Sequence, residues 1–345
     1  MNAAAILAIP LDQPERLFRA KERVNAEYRE LAKFWHPDLN KTEEAGDVFA
    51  HIGRLKDAAL ARAAKGIWTP PGRIEITDRY GKRFWIKYRA RRKFEMGEML
   101  IGMGIITFII PRAHEKLVLN GLQQIGRIRY PSKDFQKSLE RYMPKVERAF
   151  ETKDDWVVCI RKEPHEVLLA DLIAHLGGRI DAKHTAWIIS SLLNLACFLE
   201  VSNMTLNAIS PSTVFVSPQK HAVSLYGGWW YAQKGGGLLT HLPQETLSLA
   251  SPRLKALKVA QHELDLSSIK AIGRACLGDL AGGSLRTRSD IPSALSQFLL
   301  LPPAKTALAE YESWPKVLED SFGPRRYHEL KIAGEDVYPE GEING

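Results

Sequence analysis

Glu200–Trp230 reads EVSNMTLNAISPSTVFVSPQKHAVSLYGGWW. The order is a helix end, a loop and two short strands, and the stretch lies inside a region that is helical by pattern for most of its length. Whether such a loop carries chemistry depends on the side chains it presents. Here those are Leu206-Asn207-Ala208, Ser210 and Thr213 in the loop and Tyr226-Gly227-Gly228 after the strands.

Working outward, the chain has 345 residues, 45% hydrophobic and 26% charged, which is globular composition with room for two domains or three. Cys159, Cys197 and Cys276 show no paired spacing, so neither a disulfide framework nor a structural zinc site is expected, and a reducing cytoplasm fits best. His114, His165, His184, His221 and His241 have no carboxylate or cysteine partners at metal spacing. No metal or cofactor is expected. The start, MNAAAILAIPLDQPE, lacks the basic region of a secretory signal, and the apolar run Met99–Pro111 is too short to span a bilayer, so no membrane association is expected. That run, MLIGMGIITFIIP, reads instead as buried β structure with a turn at its glycines. The formal charge of +8 divides as +1 over residues 1–70, +10 over 71–150 and −3 over the rest.

Leu17, Val24, Tyr28, Leu31 and Trp35 mark the stripe of an amphipathic helix from about Pro14 to Trp35, and Phe49, Ile52, Leu55 and Ala59 mark a second from about Glu43 to Ala64. Joined by a short polar loop they make a helical hairpin, residues 1–65. Residues 66–72, with Pro70-Pro71-Gly72, read as a linker. From Arg73 the period changes to two. In KRFWIKYRA, Lys82–Ala90, one face is apolar and the other is mainly basic, and short strands to Ile110 predict an antiparallel sheet. Past His114 the pattern is helical to about Phe150; the strand WVVCIRK follows, and then mostly helices to about Leu301. The acidic, Gly-rich segment 334–345 is expected to be a flexible tail. The fold class is α+β and multidomain: an all-α hairpin, then a two-lobed domain with an antiparallel β lobe (73–165) and a mostly α lobe (166–333).

The loop between the first two helices begins His36-Pro37-Asp38. By itself this is compatible with a helix end, His standing near the negative pole of the dipole and Pro preventing continuation. With Tyr28, Leu31, Ala32 and Trp35 before it, Phe49 and Ile52 after it, and Ile6–Pro10 ahead, residues 3–64 resemble the J domain of DnaJ-type co-chaperones. The resemblance implies a DnaK-type heat-shock chaperone as partner, its ATPase stimulated through His36, Pro37 and Asp38. It also implies a basic helix face. Arg29 matches that face, whereas Asn25, Glu30 and Phe34 fall where cations are usual; Lys21, Arg23 and Lys33 offer charge nearby.

The opening stretch resembles the catalytic and metal-binding loops of a protein kinase with the chemical residues replaced. Aligned on Pro211, Ala208 stands at the catalytic aspartate, Ser210 at the loop lysine, Thr213 at the metal-binding asparagine and Tyr226-Gly227-Gly228 at the Asp-Phe-Gly. Asp265 matches the buried aspartate that opens the large C-lobe helix, and Gly102-Met103-Gly104 is at best a broken Gly-rich loop. If Ile105–Ile110 is the third strand, it has no lysine. Phosphoryl transfer needs a lysine on the phosphates, magnesium ligands and a base. A pseudokinase, not an enzyme, is therefore expected.

The leading expectation is an adaptor that engages a chaperone through the hairpin and a client through the kinase-like part, with Arg83, Lys87, Arg89, Arg91 and Arg92 as a possible basic partner surface. The first alternative is nucleic-acid binding through residues 79–93, with Trp85 available for stacking. The second is an enzyme with displaced nucleotide-transfer chemistry.

Overall fold

The computed structural model describes residues 2–18, 20–66, 68 and 72–339. They form two compact units, residues 1–92 with 100–102 and residues 93–99 with 103–339. The expected linker lies largely outside the described residues.

In the first unit, α1 (Ala3–Leu7), α2 (Val24–Trp35) and α3 (Ala45–Ala64) surround a core of Ile6, Ile9, Phe18, Val24, Trp35, Val48, Ile52 and Leu55. Asn2 caps α1, its Oδ1 accepting from the Ala5 N–H at 2.9 Å. The expected helix from Pro14 does not form as one piece: Pro14–Arg16 is a single 3-10 turn and α2 starts at Val24. Phe18 explains the break. It lies off the 17-24-28-31-35 stripe yet is fully buried, and a turn at Ala20–Arg23 is needed to bring both Phe18 and Val24 into one core. The hairpin β1 (Arg73–Thr77) and β2 (Arg83–Lys87) pairs Ile74 with Ile86 and Ile76 with Phe84. Its turn is set by Asp78, whose Oδ1 accepts from Tyr80 N and Lys82 N, both at 2.9 Å. This pair is a sheet of its own, so the main sheet begins at Ala90 rather than Arg73.

The main sheet comprises β3 (Ala90–Phe94), β4 (Gly97–Ile101), β5 (Ile105–Pro111), β6 (Val146–Glu151) and β7 (Asp155–Arg161), in the order β3-β4-β5-β7-β6. Between β5 and β6 come α4 (Glu115–Gly126) and α5 (Lys133–Leu139). The helical pattern read to Phe150 therefore ends early. Residues 146–151 are recruited as an edge strand, Ala149 opposite Val158 and Phe150 opposite Val157, and pairing overrides local propensity.

The second half is mainly helical: α6 (Leu169–His175) and α7 (Ala182–Val201) follow β8 (Val167–Leu168). Short strands β9 (Met204–Thr205), β10 (Phe215–Ser217), β11 (Ala222–Ser224) and β12 (Gln233–Lys234) come next, followed by α8 (Gln244–Leu247) and α9 (Pro252–Leu257). Then come α10 (His262–Cys276), α11 (Ser293–Leu300), α12 (Ala307–Phe322) and α13 (Gly334–Val337). Helix α7 is the spine, with Ile188, Ile189, Leu192 and Leu193 all buried. A buried ion pair, Lys270 Nζ to Glu310 Oε1 at 2.8 Å, ties α10 to α12, and Lys270 also donates to Phe298 O at 2.8 Å. With its partners satisfied, this pair fixes geometry more than it adds stability.

The tail departs from expectation. Residues 334–337 form α13, Gly334 and Tyr338 are buried, and the Tyr338 hydroxyl accepts from Leu168 N at 3.0 Å. Gly334 sits so close to His165 that an added Cβ would meet the His165 carbonyl oxygen at 2.5 Å. Packing of this kind anchors a segment whose composition alone reads as loose; residues 340–345 lie outside the described residues.

Candidate functional site

Asp265, in the first turn of α10, is buried and accepts two backbone hydrogen bonds, from Leu206 N at 2.8 Å and Asn207 N at 2.7 Å. Burial pushes its carboxyl up to about 7, and the two N–H donors pull it down only in part. The aspartate thus fixes the loop that carries Ala208. Asn207 has φ +60, and its side-chain amide donates to Thr205 Oγ1 and Tyr231 O, both at 2.9 Å, which holds that left-handed residue in place. Past it, the Thr213 hydroxyl donates to Ala208 O at 2.6 Å and accepts from Ser210 N at 3.0 Å. Ser210 Oγ lies 2.8 Å from Ser212 Oγ, which donates to Glu245 at 2.8 Å. The loop's hydroxyls are spent on holding the loop.

The two stretches singled out in the sequence meet here. A Cβ on Gly227 would lie 2.8 Å from Thr213 O, and one on Gly228, at φ +80, would lie 2.9 Å from Ala208 Cβ. Only glycine allows this approach. Ala208, Ser210, Thr213, Gly227 and Gly228 line one cleft of about 270 Å³. Tyr226 is not among its lining: the side chain is buried elsewhere, its hydroxyl donating to Arg141 O at 2.8 Å. Burial and the neighbouring Glu166 raise the Tyr226 hydroxyl far above the usual phenol range, and burial raises Glu166 as well.

The other wall of the cleft comes from β3, β4 and β5. Phe94 meets Phe108 edge-on at 5.7 Å, and Phe108 meets Trp230 edge-on at 5.3 Å. Trp230 lies against Gly121 of α4, where a Cβ would come within 2.6 Å of its ring. Asn120 on the same helix donates to Trp230 O and Ala232 O, both at 3.0 Å. Strand β5 carries no cation. The β3–β4 connection is the two-residue turn Glu95-Met96, not a Gly-rich loop, and Gly102–Gly104 belongs to the next hairpin. Glu95 accepts from Tyr231 Oη and from Gln244 N, both at 3.3 Å. Lys93 against Glu95 and Glu245 leaves the cleft lining with one negative charge in excess. None of Glu95, Asn120, Gly121 and Trp230 was singled out from the sequence. The available signals were a glycine inside a helix and the aromatic run Trp229-Trp230-Tyr231.

At the other candidate site, His36 leaves α2 with φ −63 and ψ 126, as the following proline requires. Its Nδ1 accepts from Asp38 N at 3.2 Å, and its ring meets Phe49 of α3 edge-on at 5.2 Å. Pro37 and Asp38 are exposed. Arg29 and Lys33 are exposed on α2 at spacings of seven and three residues before His36, so the three share a face. Arg23 pairs with Glu27 at 3.6 Å and Lys21 with Glu22 at 3.8 Å, which leaves them less free to serve an incoming acid.

The basic strand face divides. Arg83 and Lys87 are exposed, Arg83 pairing with Glu75 at 3.3 Å, whereas Arg89, Arg91 and Arg92 are half-buried. Burial raises the Glu15 carboxyl while Arg62 and Arg91 beside it pull it down, and Arg92 lies beside Arg16. Arg83 and Lys87 are the more open part of that candidate surface. Among the described residues no His, Cys, Asp or Glu cluster could hold a metal ion.

No family model matches the chain, and no curated protein matches it. Among solved structures the chain is similar to the one titled "Structure of vaccinia related kinase 3", with TM-score 0.52 and 14% identity over 74% of this chain and 93% of that one. The fold is kinase-like. At this identity the likeness concerns architecture only. Strand β5 gives Phe108 to the cleft lining, and Asn120 of α4 holds the Trp230 carbonyl.

Proposed function

We propose that this chain is a J-domain co-chaperone and adaptor. Residues 1–65 stimulate the ATPase of a DnaK-type chaperone, and the kinase-like part recruits a client without transferring phosphate. The observation that carries the first half is the placement of His36-Pro37-Asp38: an exposed turn at the end of a helix anchored by buried Trp35, with Arg29 and Lys33 on the same face. Such a turn offers a ring, a rigid bend and a carboxylate at once, while the two cations steer an acidic partner surface toward it.

The second half follows from the cleft. A nucleotide's phosphates need positive charge and metal ligands. This cleft has a carboxylate latch at Glu95, an aromatic plug at Trp230 and Ala208 where the base belongs. Against displaced transferase chemistry, the hydroxyls of Ser210, Ser212 and Thr213 in the lining are tied up in hydrogen bonds to one another, to Ala208 O and to Glu245. Nucleic-acid binding through residues 79–93 is weakened by the half-buried Arg89, Arg91 and Arg92, although Tyr80 and Trp85 both offer exposed rings.

The test is steady-state ATP turnover by the cognate chaperone with and without this protein. Turnover should rise, and His36→Gln should remove the rise. Since His36 is a surface side chain, the substitution should cost under about 1 kcal/mol of stability. Stimulation that survives His36→Gln would remove the J-domain assignment.

A further inference from the structure

Sharing no lining residue with the cleft, α7, α12 and residues 323–328 enclose a groove of about 1010 Å³, at the top of the size range of pre-formed ligand sites. Its floor is aromatic. Trp187 stacks on His221 at 4.7 Å and His221 on Tyr327 at 4.6 Å, while Trp314 is seated by a hydrogen bond from its indole N–H to Ser190 Oγ at 2.7 Å. The lining carries three permanent cations, Lys183, Arg325 and Arg326, against one acid, Glu319. None of those cations has a carboxylate within ion-pair distance among the described residues. Two buried polar atoms border the groove without a hydrogen-bond partner: the Trp187 indole nitrogen, which can only donate, and His221 Nε2. A buried donor left unpaired is costly, and a bound carboxylate that reached it as the ring shifted would supply the acceptor.

We propose that this groove binds an acidic peptide segment bearing an aromatic or aliphatic anchor. The shape favours a peptide over a compact ligand: the groove follows α12 from Tyr311 to Phe322, about 17 Å of helix axis. That is the length of about five residues of extended chain. An apolar anchor covers the Trp187–Trp314 floor, and flanking carboxylates meet Arg325, Arg326 and Lys183. Calling the peptide part of a client rests on the adaptor reading above; the binding itself does not.

The test uses the full chain without chaperone. Fluorescence anisotropy is measured with a labelled peptide of alternating glutamate and phenylalanine, and with the same peptide carrying lysine for glutamate. The acidic peptide should bind, more weakly as salt rises, and the doubly substituted Arg325→Glu, Arg326→Glu protein should bind it roughly tenfold less tightly. Trp187→Phe, which keeps the ring and removes the donor, should also weaken binding. Both variants should keep a cooperative melting transition and chaperone stimulation. Equal binding of the lysine peptide, or unchanged affinity in the arginine variant, would overturn the proposal. So would a single-stranded oligonucleotide that displaces the peptide through the same arginines, since the groove would then be a nucleic-acid site. Loss of chaperone stimulation with intact peptide binding would count against the J-domain reading and leave the groove standing.

Discussion

Replacing Asp265 tests whether one buried carboxylate holds the loop under the kinase-like cleft. Asp265→Ala leaves the N–H groups of Leu206 and Asn207 without acceptors, in a region where both residues are 1% exposed or less. Each unpaired buried donor costs roughly 1–3 kcal/mol, so the variant should lose about 2–6 kcal/mol. Urea unfolding followed through the buried Trp229 and Trp230 reads this loss. Asp265→Asn adds a sign. The native carboxyl titrates at about 7, whereas an unfolded chain's aspartate titrates near ~3.9, so between those values the folded state holds a proton that the unfolded state has released. The contribution of Asp265 therefore falls as pH rises through that window and is constant above the folded value. Asparagine does not titrate. The stability difference between wild type and Asp265→Asn should shrink by about 2 kcal/mol from pH ~5 to pH ~7. A loss below about 1 kcal/mol in Asp265→Ala would refute the claim that the carboxylate organises the loop. A difference that grows with pH would show that the two hydrogen bonds outweigh burial.

Gly121→Ala should destabilise despite a helix-propensity gain of about 1 kcal/mol, because the new methyl meets Trp230 at 2.6 Å and overpacking costs roughly 1–3 kcal/mol. A net stabilisation would mean that Trp230 is not held against α4. Magnesium-ATP should leave the melting temperature unchanged; a nucleotide at a hundred times its dissociation constant would add about 2.7 kcal/mol, and a clear magnesium-dependent rise would revive the enzyme alternative.

Composition and period were enough to place α3, β5, β7 and the end of α2, because each carries a strong local pattern: Trp35 before His36-Pro37, the apolar run that ends at Pro111, the strand WVVCIRK. The resemblance to the kinase loops singled out Ala208, Ser210, Thr213, Gly227 and Gly228, and these line one cleft. Tertiary structure alone decided the rest. Val146–Glu151 is a strand only because β7 offers an edge, and Phe18 bends the chain only because a core is there to receive it. Tyr226 leaves the cleft because its ring finds a buried place and its hydroxyl an acceptor at Arg141 O. The groove between α7 and α12 joins Lys183 to Arg325 across more than a hundred residues of chain. Local sequence encodes period and turn chemistry, whereas which faces meet is settled by the burial that the whole chain achieves at once.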